Sequence, residues 1–101
     1  MRKVYIINKS SHDFSGAVKY GELIYLSEGP INRFATNKMY RLFADGMKKS
    51  NKDDYLLLSG LTVMAVIASI IFVAKHKCLN LLIFRANSFT YAERRLDLSD
   101  L

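Results

Sequence analysis

The sequence predicts a single Rossmann-like α/β domain over residues 1–101, with a mixed sheet of about five strands, a central βαβ unit and two helices. The main observation lies in residues 54–85, where three apolar runs are separated by a Ser-Gly break and by a basic cluster. This is the pattern of a buried strand, a helix and a second buried strand in a parallel sheet. Two more strand-like runs in residues 1–27 need the same sheet as a pairing partner.

Length and composition agree with one globular domain. The chain has 101 residues, half of them hydrophobic, and only one proline. That is enough apolar material for one modest core and too much for a disordered protein.

Residues 55–74 also permit a different interpretation, a membrane span, because they form a run of twenty residues without a charge. The Ser59-Gly60 break favours the soluble interpretation, since glycine adopts the positive φ of a sharp turn and separates strand from helix. The remaining helix of about 15 residues is roughly 22 Å long. A bilayer presents roughly 30 Å of hydrocarbon. We therefore expect a soluble βαβ unit, with a single-pass membrane protein as the second alternative.

The first two predicted strands lie in the N-terminal third. Lys3–Asn8 is rich in β-branched and aromatic residues and is followed by a polar loop. Tyr20–Ser27 is the second strand and ends at the turn Glu28-Gly29-Pro30.

An amphipathic helix is predicted between this turn and residue 49 or 50. Asn32 or Thr36 is suited to cap it, because a short polar side chain accepts a bond from a free N–H at a helix start. Its apolar positions recur at helical spacing: Met39, Leu42, Phe43 and Met47. The basic face on the other side carries Lys38, Arg41, Lys48 and Lys49.

The C-terminal half completes the predicted sheet. The central strand, over residues 56–58, follows a polar loop, and a helix then runs from Leu61 or Thr62 to the basic cluster at residues 75–77. The next strand covers Leu79–Phe84, and only a short polar link separates it from a last strand over Phe89–Leu98. So short a link predicts a hairpin and therefore a mixed sheet.

The second predicted helix is apolar on nearly all sides. A helix without a polar face is either enclosed in a core or covered by a partner. A domain of this size has little material to enclose it, so we expect self-association through this helix, most simply a two-fold dimer. The expected interface residues are Met64, Ile67 and Ile71.

The turn at residues 59–62 is the candidate ligand-binding element, because the N–H groups and dipole of a helix N-terminus attract anions. Loops after the carboxyl ends of strands supply further candidates. The full candidate set is Ser59, Gly60, Thr62, Asn8, His12, Asn32 and Arg33. The turn lacks the dinucleotide, P-loop and nucleophile-elbow motifs. A nucleotide- or phosphate-binding domain is thus the first alternative, and a purely structural turn capped by Ser59 or Thr62 remains open.

No motif points to catalysis, a metal or a cofactor. The chain has two histidines and one cysteine, Cys78, which we expect to be a small buried side chain. His12 beside Asp13 is the only candidate acid or base, and a solvated surface role is its alternative. The sequence therefore favours a non-enzymatic protein without deciding the question.

The positive residues behind the net charge of +6 fall mainly in four separate segments and form no long basic arm. This distribution favours a solvated surface over a nucleic-acid interface, although nucleic acid remains an open partner.

A short basic chain with a KVYIIN opening and no catalytic motif resembles the small accessory proteins that bacteriophages and other viruses encode. The resemblance is one of style and length. The apolar helix, the basic helical face and the lack of catalytic residues favour a binding or assembly protein that oligomerises and binds a host or virion protein. The apolar run at residues 4–7 is too short for a signal peptide. The expected location is therefore the cytoplasm, that of the host if the gene is viral.

Overall fold

The computed structural model describes all residues from 1 to 101. Its elements, in chain order, are β1 (Lys3–Ile6), a 3₁₀ helix (Ser15–Tyr20), β2 (Glu22–Tyr25), α1 (Thr36–Gly46), β3 (Tyr55–Leu57), α2 (Thr62–His76), β4 (Cys78–Arg85) and β5 (Thr90–Asp97).

The five strands form one mixed sheet in the order β2-β1-β3-β4-β5. Strands β2, β1, β3 and β4 are parallel, and β5 returns antiparallel to β4. Helix α2 connects the neighbouring parallel strands β3 and β4, which makes this segment a βαβ unit. The predicted α/β class, the order of strands and main helices, and the C-terminal hairpin are confirmed.

The two faces of the sheet have different covers. Along β1 the side chains alternate: Tyr5 and Ile7 pack beneath α1 and α2, whereas Val4 and Ile6 pack on the other face with Ala17 of the 3₁₀ helix. The sequence pattern does not indicate the 3₁₀ helix, because six residues are too few to show a helical repeat. Its position depends on packing against the sheet.

The second strand begins at Glu22, two residues later than predicted, because Tyr20 ends the 3₁₀ helix. Gly21 makes the transition with a φ of 155°. A Cβ at this position would lie 2.3 Å from the carbonyl oxygen of Arg2. Only glycine lets the backbone come so close to the start of β1.

Helix α1 differs from its prediction at both ends. It starts at Thr36 after Ala35 without a side-chain cap, and the Oδ1 of Asn32 instead accepts a bond from the N–H of Phe34 at 3.0 Å. The helix ends at Gly46 rather than at residue 49 or 50. Beyond it, the N–H groups of Lys48 and Ser50 bond to carbonyls three residues back, which tightens the chain into turns.

Helix α2 has the predicted 15 residues, Thr62–His76. Leu61 precedes it and no side chain caps it, so the suggested capping roles of Ser59 and Thr62 are wrong. Residues 55–74 are divided among β3, a turn and α2. No helix in the structure is both long enough and apolar enough to cross a membrane.

A buried carboxylate joins the starts of the central strands. Asp54 is 1% exposed, and its Oδ1 accepts a bond from the N–H of Lys3 at 2.9 Å. Its Oδ2 accepts from the N–H of Asn51 at 2.7 Å, and its carbonyl oxygen accepts from the Nδ2 of Asn80 at 2.9 Å. Residue 54 therefore ties β1, β3 and β4 together at the amino edge of the sheet.

We expect Asp54→Ala to destabilise the protein, because it leaves two N–H groups without their acceptor. The cost is about 1–3 kcal/mol for each group that stays buried. Urea unfolding monitored by circular dichroism measures it. The matched control is Asp53→Ala at the exposed neighbouring carboxylate, which should stay within about 0.5 kcal/mol of the native protein. Equal losses in both variants would contradict this role of the Asp54 carboxylate.

The end of α2 carries the partly buried His76. Its Nε2 lies 2.8 Å from the Oγ of Ser50, and its ring packs 4.7 Å from that of Phe72. Burial lowers the pKa of His76 below its ordinary value of 6.5, and the charge of Lys75 lowers it further. The folded protein therefore favours the neutral imidazole.

This shift predicts a loss of stability as the pH falls through about 6.5. Below that value the unfolded chain binds the proton more readily than the folded one, so protonation favours unfolding. Thermal melts between pH 7.5 and 5 should show the decrease, and His76→Gln should reduce it. His12→Gln, on an exposed loop, should keep it. If the pH dependence of the melting temperature disappeared in His12→Gln and persisted in His76→Gln, His76 would not be its cause.

Candidate functional site

Two of the predicted ligand-binding residues, Asn8 and Gly60, line the switch point of the sheet. The chain passes from β1 outward to β2 and later returns to β3 on the other side of β1, which leaves a crevice outside the carboxyl ends of β1 and β3. A cavity of about 390 Å³ lies there, between Asn8, Gly29, Gly60 and Met64. The structure thus brings Asn8 and Gly60 of the candidate set together.

The polar groups of this crevice are largely engaged within the fold. The Oγ of Ser59 donates to the carbonyl of Asn8 and accepts from its N–H, both at 3.1 Å. The Nδ2 of Asn8 donates to the Oγ of Ser27 at 2.9 Å and to the carbonyl of Gly29 at 3.1 Å. These bonds connect the ends of three strands and leave few side-chain donors for a ligand.

Gly60 has a conformational and a steric reason to be glycine. Its φ is 79°, in the left-handed region. A Cβ there would also lie 2.9 Å from both the Cβ of Asn8 and the Sδ of Met64. The residue therefore sets the close approach of the β3–α2 turn to the end of β1.

The other candidates lie in three separate places. Thr62 and Arg33 border an adjoining groove of about 500 Å³. His12 lies in a different cavity of about 170 Å³ next to Ser59, with its ring 5.8 Å from that of Phe84. Asn32 lines a third groove, between β2 and α1. The seven residues are therefore not one site.

His12 and Asp13 do not form a catalytic pair in this structure. The carboxylate of Asp13 accepts a bond from the N–H of Ser15 at 2.9 Å, and this bond lowers the pKa of Asp13. His12 packs against aromatic rings, those of Phe14 and Phe84. Asp13 is thus occupied by its own loop.

The placement of α2 changes the expected interface. Met64 and Ile71 are 2% and 6% exposed and belong to the core of the domain, and Ile67 is half-buried. The expectation that Met64 and Ile71 face a partner is therefore wrong, because these side chains pack onto α1 and the sheet. The exposed large apolar residues of α2 are Val66 at 51% and Ile70 at 61%.

The predicted basic residues Lys38, Arg41, Lys48 and Lys49 are all exposed, on α1 and the turn after it. Lys48 forms an exposed ion pair with Asp45 at 3.7 Å. The positive charge of this face is therefore partly compensated.

The structure contains no cluster of three or more His, Cys, Asp or Glu side chains that could hold a metal ion. Cys78 is buried, as expected, with its Sγ 3.5 Å from the carbonyl oxygen of Lys52. A thiol in this position is a packing group.

The fold and its surfaces define a small α/β domain in which one helix exposes apolar side chains. A model of the phage Pam3 gp32-like protein family matches residues 2–98. The chain therefore belongs to the phage Pam3 gp32-like protein family, in agreement with the expected resemblance to phage proteins. No curated protein and no solved structure matches it.

The sequence pattern missed a polar group at the amino edge, which includes Arg2, Tyr55, Asn80, Glu93 and Arg95. These residues lie far apart in the chain and follow no motif. The only available signal was the alternation of polar residues along the last strand, which also suits a solvated edge.

We expect Gly60→Ala to destabilise the protein by about 1–3 kcal/mol, the usual cost of a strained backbone conformation. The added methyl group must also displace Asn8 or Met64. Chemical unfolding measures the change. Gly29→Ala is the matched control, because Gly29 also has a positive φ, 76°, but a Cβ there meets no atom within 4 Å. A Gly60 variant no less stable than the Gly29 variant would show that the contact with Asn8 and Met64 is unimportant.

Proposed function

We propose that this chain is a small, non-enzymatic binding and assembly protein encoded by a phage, which acts by self-association and by contacts with other proteins. The observation that carries the proposal is the outward face of α2. A helix on the surface of a monomer normally presents polar residues to water. This one presents an apolar face.

The apolar face follows from the helical spacing. Successive residues turn by about 100° around the axis, so Val66 and Ile70 point outward, and Val63, Ile67 and Val73 flank them, partly buried against the rim of the core. No charged residue lies between Thr62 and Ala74. We call this set of five side chains the α2 face. Exposing such a continuous strip to water is unfavourable.

The occupant that suits the α2 face best is a second copy of the chain. In a two-fold dimer the same patch meets itself, and two antiparallel α2 helices would place Val66 of one protomer near Ile70 of its partner. Because the face has no charge, this pairing encounters no like-charge repulsion. A host or virion protein with an apolar surface is the further partner that this function requires, and the host cytoplasm is its proposed location.

The alternative function, a phosphate or nucleotide cradle at residues 59–62, has less support. The crevice is present at the switch point, but Asn8 and Ser59 use their polar atoms within the fold. The side chain of Thr62 faces a different groove, with Arg33.

Self-association is tested by light scattering after size exclusion in detergent-free buffer. We expect a mass of about 23 kDa, twice the 11.5 kDa of one chain. Ile70→Lys should shift the protein to monomer, because a dimer would bury the new charge without a partner.

The matched control is Val18→Lys, which introduces the same charge at an exposed valine, 58% exposed, on the 3₁₀ helix. It should remain dimeric. Circular dichroism must show that both variants are folded. A native protein that stays monomeric at every accessible concentration would refute the proposal, and so would equal dissociation of the two variants.

A further inference from the structure

A polar cavity of about 120 Å³ lies at the amino edge of the sheet, opposite the switch-point crevice. Arg2 precedes β1, Tyr55 begins β3, Asn80 belongs to β4, and Glu93 and Arg95 belong to β5. The cavity is on the sheet face away from α1 and α2, because Tyr55 packs in the cluster beneath the 3₁₀ helix. Three strands and the residue that precedes a fourth thus contribute to one small site.

One side of the cavity is organised by Tyr55. The Nη1 of Arg2 donates to the hydroxyl oxygen of Tyr55 at 3.3 Å, and its guanidinium carbon lies 5.9 Å from the ring centre. The hydroxyl donates in turn to Oε2 of Glu93. Burial raises the pKa of Tyr55, and the bond to Glu93 raises it further. The hydroxyl therefore stays protonated and holds Arg2 and Glu93 in place.

The other side is organised by Asn80, which is only 5% exposed. Its Nδ2 donates to the carbonyl oxygens of Lys52 and Asp54, at 2.7 and 2.9 Å. Its Oδ1 accepts from the Nη1 of Arg95 at 2.7 Å. A buried amide thus fixes the direction of an exposed guanidinium.

The charges around the cavity are not balanced. Three arginines, Arg2, Arg94 and Arg95, and two carboxylates, Asp53 and Glu93, line it, which gives a net charge of one positive unit. The two ion pairs of the structure lie elsewhere and involve only lysines. Each guanidinium has five N–H donors, and those of Arg2 and Arg95 each use one nitrogen in the bonds above.

We propose that this cavity binds one phosphate group. A singly charged oxyanion, such as a phosphodiester, balances the charge. A planar carboxylate is satisfied by one bidentate arginine, whereas a tetrahedral phosphate offers acceptors in several directions and suits guanidinium groups that approach from different strands. The cavity, at about 120 Å³, has room for the phosphate group and leaves the rest of its carrier outside.

The phosphate group belongs either to a small phosphate ester or to the backbone of a polynucleotide, and the chemistry of the site is the same for both. One further lysine at this edge of the sheet, the exposed Lys52, would favour the longer anion. Binding here is independent of the α2 face, which lies beyond the opposite face of the sheet.

The test uses nuclear magnetic resonance of the isotope-labelled full chain, titrated with inorganic phosphate at constant ionic strength. We expect saturable shifts of the Asn80 side-chain amide and of the Arg95 side chain. Arg2→Gln and Arg95→Gln should each weaken binding by about 10- to 100-fold, because each removes charge-assisted hydrogen bonds to the phosphate. Arg95→Lys should weaken it too, because a lysine ammonium keeps the charge but lacks the planar arrangement of N–H donors that a guanidinium has.

The matched control is Arg41→Gln, the same change of charge at an exposed residue of α1, which should bind like the native protein. Unchanged amide spectra elsewhere establish that each variant is folded. Three results would overturn the proposal: no saturable shift, an equal loss in the Arg41 variant, or equally tight binding of acetate. If oligothymidylate shifts the same resonances, a polynucleotide is the carrier of the phosphate group. If inorganic phosphate shifts them and oligothymidylate does not, the carrier is a small phosphate ester.

Discussion

The bonds of Asp54 and Asn80 hold the amino edge of the sheet together. Strand β3 has only three residues, and it forms the centre of the sheet between β1 and β4. A short parallel strand makes few ladder bonds, so the carboxylate of Asp54 and the amide of Asn80 supply additional connections to both neighbours. Asp54 immediately precedes Tyr55 in the chain, and Asn80 bonds to the guanidinium of Arg95. The geometry of the amino-edge cavity therefore depends on the bonds that hold the strands in register.

The two edges of the sheet use their polar residues differently. At the carboxyl edge, where α/β proteins usually bind ligands, Asn8 and Ser59 bond to the chain itself and close the ends of the strands. At the amino edge, Arg2 and Arg95 are anchored through one nitrogen each and keep the others free. The general rule for α/β proteins thus predicts a ligand site in the crevice at the carboxyl edge. The arginine N–H donors that make no bond within the fold lie at the amino edge instead.

The central helix shows how the expectation of an uncovered apolar surface can be attached to the wrong residues. A helix that is apolar on nearly all sides, in a domain too small to enclose it, predicts an exposed apolar face. Because α2 is apolar on nearly every side, its sequence contains no polar stripe to indicate which side is outward. The position of α1 decides this: Met64 and Ile71 are enclosed beneath it, and Val66 and Ile70 remain exposed.

The sequence by itself determined the α/β class, the order of the strands and main helices, the length of α2 and the C-terminal hairpin. These features follow from local signals, namely apolar runs, the Ser59-Gly60 turn and the short polar link after Arg85. Tertiary structure decided the 3₁₀ helix, the buried role of Asp54 and the grouping of Arg2, Tyr55 and Glu93. The hydrogen bonds of that group join residues 53 and 38 positions apart. Contacts at such separations arise only when strands pair, and no periodicity or motif within the chain encodes which polar side chains then meet.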